Sequence, residues 1–172
     1  MIVALLAAVL FGLRQAGWLE PETGNFIAID GDSLRKGEAE YRLSGIDAPE
    51  LHQTCKNASG KDYACGREAR NALRSLVSGK TLDCAVIDTD RYSRSVAICK
   101  AGERDINGEM VRLGWAIAYR RHSLDYVPEE RAAREAARGL WQGGFEMPEA
   151  WRSRHRDDLV RGGMSAEQAI QD

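Results

Sequence analysis

Closely spaced turn signals constrain this chain most. Asp30-Gly31, Lys36-Gly37 and Gly45 cut the stretch from Phe26 to Ile46 into extended pieces too short for helices. Phe26 to Asp30 reads as a strand, followed by Ser33 to Lys36 and Glu40 to Ile46. The pattern then changes. From Gly66 to Ser78, apolar or small residues at Ala69, Ala72, Leu73, Leu76 and Val77 recur at helical spacing, and Gly79 stops the run. Thr81 to Ile87 and Ser95 to Lys100 form a hairpin around Asp90-Arg91-Tyr92-Ser93. Ile106 to Leu113 and Leu124 to Arg138 read as further helices, while Trp115 to Tyr119 fits either a strand or a buried loop. About five strands with an inserted helix and a helical end make an α+β domain. A five-stranded barrel would close such a sheet without exposed edges.

The expected domain spans residues 23–151, preceded by an apolar leader and linker (1–22) and followed by a polar tail (152–172) with a helical turn near Ser165 to Ile170. Ile2 to Leu13 is apolar apart from Gly12. Twelve helical residues reach roughly 18 Å, short of the roughly 30 Å hydrocarbon core, so the length suits a secretory h-region. No Lys or Arg precedes it and no small-x-small site follows, so a cleaved signal and a retained anchor both stay open. Either places the domain outside the cytoplasm, in the periplasm or secreted.

Four cysteines agree with export. They allow three connectivities, of which Cys55–Cys65 and Cys84–Cys99 are favoured, the second because its partners face each other across the hairpin. A zinc site at His52, Cys55 and Cys65 is the competing use, but the spacing departs from the usual Cys-x2-Cys pair. His52 itself reads as structural or exposed.

Lys and Arg number 24 against 26 Asp and Glu, a net charge of −2. That balance argues against broad non-specific phosphate binding and leaves room only for a local basic pocket. Arg112, Arg120 and Arg121, and the run Arg152, Arg154 and Arg156, read as solvated surface or as a phosphate-attracting patch.

Chemistry concentrates between Asp30 and Glu50. Asp32 and Asp47 each end an extended segment beside a turn. A hard cation such as Ca²⁺ takes six to eight oxygens, so two carboxylates need help from a backbone carbonyl (that of Ala48), water and a substrate phosphate. Glu50 follows the stiff Pro49 and is placed to take a proton from an attacking water. Arg42 and Arg94 suit the charge that builds on phosphate in the transition state. In an unbroken strand residues 42 and 47 point to opposite faces, so a shared pocket requires a break, and Gly45 is its place.

These residues resemble the staphylococcal thermonuclease family. The resemblance runs from Phe26 to Trp141, about two thirds of the chain. It rests on Asp30-Gly31-Asp32, on Arg42, on Ile46-Asp47-Ala48-Pro49-Glu50, on Asp90-Arg91-Tyr92-Ser93-Arg94, on Asn107 through Gly114, and on Gly139-Leu140-Trp141. It implies an OB-fold barrel with three helices and a calcium-dependent nuclease that cleaves DNA and RNA to 3′-phosphate ends. By position it assigns Asp32, Asp47 and the Ala48 carbonyl to calcium, Glu50 to water activation, and Arg42 and Arg94 to the scissile phosphate. The family often carries Thr where this chain has Ala48, which removes a side-chain contact to metal-bound water. Tyr119 and Tyr126 are candidates for seating a base or terminal phosphate, with core or rim packing as the plainer use. A monomer preferring single-stranded substrate, with no obligate protein partner, is expected. The alternative is a non-catalytic OB module that binds nucleic acid or protein.

Overall fold

The computed structural model describes residues 21–161 other than His122. The leader Ile2 to Leu13 and the turn near Ser165 to Ile170 lie outside the described residues.

Short strands follow from the turn signals. Strands β1 (Glu22–Gly24), β2 (Ile27–Ala28), β3 (Ser33–Lys36), β4 (Ala39–Leu43) and β5 (Ile46–Asp47) come first, and β6 (Cys55–Lys56) pairs with β7 (Asp62–Tyr63). Helix α1 (Cys65–Val77) leads to the hairpin β8 (Leu82–Thr89) and β9 (Ser95–Ala101). After β10 (Arg104–Asp105) come α2 (Ile106–Arg112), β11 (Ile117–Ala118), α3 (Val127–Glu135), a 3₁₀ turn (Gly139–Gln142) and α4 (Pro148–Arg161).

The main sheet has seven strands in the order β1-β8-β9-β4-β3-β2, with β10 on β9; β4 and β9 run parallel and the other pairs antiparallel. It curls into a half-barrel of the OB-like α+β kind. Among the described residues the strands are shorter and more numerous than the five expected, and a fourth helix joins the three. The reading of Phe26 to Asp30 as one strand shrinks to Ile27–Ala28, because the chain turns at Asp30 to bring Asp32 inward.

The curl encloses Leu34, Leu43, Ile46, Leu82 and Ala97 against Leu73 of α1 and Ile106 and Met110 of α2. Asn107, fully buried, fastens α2 to the sheet. Its Oδ1 accepts the Cys99 N–H (3.1 Å), and its Nδ2 donates to the carbonyls of Ser44 (3.0 Å) and Ala97 (3.1 Å).

Both favoured disulfides are present, Cys84–Cys99 joining directly paired residues of β8 and β9, and Cys55–Cys65 tying β6 to the start of α1. Cys55 and Cys65 are therefore not zinc ligands, and His52 is exposed. Disulfide-bonded cysteines point to folding in an oxidising environment.

Candidate active site

Arg42 and Asp47 meet because the strand breaks between them. Strand β4 stops at Leu43, Gly45 takes a φ of +74°, and the chain re-enters as β5. A Cβ on Gly45 would also sit 3.0 Å from the Tyr126 ring, so glycine is required twice over. With the face switched, the Arg42 guanidinium spans two carboxylates: Nη1 lies 2.6 Å from Asp32 Oδ1 and Nη2 2.8 Å from Asp47 Oδ1.

Asp32 is carried in by its own turn. Its N–H donates to Asp30 Oδ1 (3.0 Å), its carbonyl accepts the Leu43 N–H (2.8 Å), and its Oδ2 accepts the Ala48 N–H (2.7 Å). The last bond ties the Asp30–Asp32 turn to the Asp47–Glu50 segment and places Ala48 between the two acids. Asp32 and Asp47 are both buried. Burial pushes the Asp32 carboxyl well above the usual range; Arg42 opposes this, while Asp30 and Asp47 add to it. Burial also works against the Arg42 charge, but Asp32 and Asp47 outweigh it and hold the guanidinium firmly protonated.

Glu50 is buttressed from behind. Its N–H donates to Gln53 Oε1 (3.2 Å), and its carbonyl accepts the Gln53 N–H (2.8 Å). Gln53 is fully buried, with its Nε2 donating to the Glu146 carbonyl (2.8 Å). Helix α1 begins so close to this segment that a Cβ on Gly66 would collide with the Glu50 carbonyl oxygen.

Arg94 reaches the same cavity from the β8–β9 turn. Its Nε donates to Asp90 Oδ2 (2.8 Å), and the N–H groups of Tyr92 and Arg94 donate to Asp90 Oδ1 (2.8 and 3.0 Å). Asp90 thus orients Arg94 and shapes the turn at once.

The cavity, about 1170 Å³, is lined by Arg42, Asp47, Glu50, Arg94 and Tyr119 among others. Six arginines and seven acidic residues line it. Polyanion attraction by the protein alone is therefore weak, which suits a site completed by an added cation. Among the described residues no three histidine, cysteine or acidic side chains form a chelating cluster. The available donors are two buried carboxylates with backbone and solvent oxygens, an all-oxygen set of the kind a hard cation accepts.

The two tyrosines separate. Tyr119 lines the cavity. Tyr126 does not: it is buried under Gly45 and Gly108, and its hydroxyl donates to Asp105 Oδ2 (3.1 Å). Burial, with Asp105 beside it, pushes the phenol far up. Tyr126 is a packing residue here, the plainer of the two uses expected of it.

Sequence reasoning left Arg152 as solvated surface or part of a phosphate-attracting patch and did not place it with the acids. Arg152, assigned to a polar tail, lies on α4 and enters the cavity: Nη1 is 3.0 Å from Asp47 Oδ1 and 2.7 Å from Glu50 Oε1, and Nη2 is 3.1 Å from Asp47 Oδ2. The available signal was Pro148 followed by Glu149, a helix start that places Arg152 at the beginning of the second helical turn.

A family model described as staphylococcal nuclease homologue matches residues 40–143. That span holds Arg42, Asp47, Glu50 and Arg94; Asp32 and Arg152 fall outside it. The chain is 33 % identical over 144 residues to the succinoglycan biosynthesis protein ExoI of Rhizobium meliloti (strain 1021), an overlap covering 82 % of this chain and 75 % of ExoI. It is 32 % identical over 161 residues to an uncharacterized endonuclease of Haemophilus influenzae, covering 88 % of this chain and 85 % of that protein. A third relative, the probable staphylococcal-like nuclease CAN3 of Oryza sativa subsp. japonica, is 33 % identical over 155 residues, and the chain spans 36 % of its length. Coverage of this extent by the family model and by relatives of similar length places the chain in the staphylococcal nuclease homologue family.

Proposed function

We propose that this protein is a calcium-dependent nuclease that hydrolyses phosphodiester bonds of DNA and RNA, leaving 3′-phosphate ends. The observation that carries the reading is the convergence of Arg42, Asp47 and Glu50 on one cavity that Arg94 also lines, with the buried Asp32 paired to Arg42. The relatives called endonuclease or nuclease point to the same chemistry.

In this reading Asp32, Asp47 and the Ala48 carbonyl would hold the cation. When bound, calcium offsets the buried negative charge and polarises the phosphate. Arg42 and Arg94 bind the non-bridging phosphate oxygens and stabilise the charge that grows on them. The Glu50 carboxylate accepts a proton as the water oxygen bonds to phosphorus and the bond to the 5′ oxygen breaks; that oxygen takes its proton from solvent. Tyr119, at the cavity wall, is placed to contact the substrate next to the scissile phosphate. The mixed-charge cleft suits a single, bendable strand better than a rigid duplex. The disulfides fit work outside the cytoplasm, in the periplasm or secreted, and we read the protein as a monomer.

The decisive experiment compares wild type with Glu50→Gln on single-stranded DNA and RNA, with calcium or chelator. Wild type should cleave only with calcium, and the variant should lose about 10²–10⁴-fold in kcat while still binding calcium. Equal cleavage by the variant removes Glu50 from the mechanism. Binding of nucleic acid with no metal-dependent turnover leaves the chain a binding module.

A further inference from the structure

Three donor contacts from Arg152 close around the acids that the proposed nuclease needs free. Both oxygens of Asp47 accept from its guanidinium, and Oδ1 accepts from Arg42 as well. One oxygen of Glu50 is taken by the same Nη1. Asp47 is 1 % exposed, so solvent does not compete for these lone pairs. Arg152 thus supplies at Asp47 and Glu50 the positive charge that a cation would bring. Burial alone would weaken its charge, yet the two carboxylates more than compensate, so the group stays a guanidinium.

Polar contacts hold the segment that leads into the helix and the helix's first turn. Gln53 holds the Glu146 carbonyl (2.8 Å), Lys56 N–H donates to the Gly144 carbonyl (2.7 Å), and Arg121 pairs with Glu149 (2.9 Å). These fix the register that aims Arg152, and not Arg154 or Arg156, at Asp47. Arg154 instead pairs with Glu146 (2.6 Å), outside the site.

We propose that Arg152 is a positioning residue that stands in for the cation: it holds the Asp47 and Glu50 carboxylates aimed before metal arrives, and calcium must displace it to reach Asp47. The proposal rests on the metal assignment made above. Two consequences follow from charge. A guanidinium and a divalent ion at the same carboxylate repel each other, so metal alone binds weakly. A phosphodiester entering the cavity offers the displaced guanidinium a new anionic acceptor, so metal and substrate strengthen each other's binding.

The test is calorimetric titration of the full chain with calcium alone, on wild type, Arg152→Ala, Arg152→Lys and Asp47→Asn, each checked for folding by its thermal transition. Arg152→Ala should bind calcium at least about tenfold more tightly than wild type, a gain of about 1.4 kcal/mol, and Asp47→Asn should lose binding. Arg152→Lys, a charge without the planar fork, should fall between. In wild type, the guanidinium N–H resonances of Arg152, slowed by their hydrogen bonds, should lose that protection as calcium is added, a readout that needs no variant to fold. Calcium affinity that depends on Asp47 but is unchanged or weaker in Arg152→Ala overturns this proposal and leaves the metal assignment standing. Calcium binding in none of the proteins, or binding indifferent to Asp47, overturns both.

Discussion

Arg94 owes its aim to Asp90, and that pair carries a pH signature. Burial works to raise the Asp90 carboxyl, but the N–H groups of Arg94 and Tyr92 and the Arg94 guanidinium outweigh it, holding Asp90 below the usual carboxylate range. A depressed folded value means that its stabilisation is present above the unfolded value of about 3.9 and is lost as pH falls through the folded one. Thermal melts should therefore show Asp90→Asn less stable than wild type at pH 7, with the gap closing below about pH 4. Arg94→Ala should lower kcat by about 10²–10³-fold, far more than its loss of the Asp90 pair costs in melting temperature, and Arg94→Lys should recover only part, because an ammonium cannot grip two phosphate oxygens in one plane. At this scale much was legible in advance. Asp32, Arg42, Asp47, Glu50 and Arg94 were each singled out from local signals: turns, a proline, a strand end. Tyr126 was left open between substrate contact and packing, because an aromatic beside a helix start looks the same whether it faces a cavity or lies beneath a glycine.

At the level of elements, close approach decides where Glu50 sits. Helix α1 begins against the Glu50–Leu51 backbone with no room for a side chain at Gly66. Gly66→Ala should cost about 1–3 kcal/mol in urea melts and should also lower kcat, since the helix can clear the new methyl only by pushing the Glu50 segment toward the cavity. Asn107 plays the corresponding part for α2, serving one N–H and two carbonyls at once. Asn107→Ala strands those buried groups and should cost about 3 kcal/mol, read from the same melts. Helices α1, α2 and α3 announced themselves through apolar spacing and glycine stops. Helix α4 was read as a polar tail, because the bonds that hold its approach, at Gly144 and Glu146, leave no period in the sequence.

For the whole molecule, two buried disulfides offset the modest core that a curled half-barrel of short strands can build. Cys84–Cys99 clamps the hairpin that carries Arg94, and Cys55–Cys65 clamps the loop behind Glu50 to α1. Each should contribute about 3 kcal/mol in the chain-entropy account. Urea melts with and without reductant should show that loss per bridge, and loss of the Cys55–Cys65 bridge should cost activity beyond its effect on folding, because it frees the Gln53 support.

By itself, the order of residues determined the class of the domain, its break at Gly45, its cysteine pairing and the chemical types present at the site. Those properties are local: they depend on turn preference, periodicity and the reach of neighbours in a hairpin. Tertiary structure alone decided that Arg152 enters the cavity, that Gln53 stands behind Glu50, and that Tyr126 is buried. Each depends on contacts between segments far apart in the chain, and long-range polar docking has no period along the backbone from which it could be read.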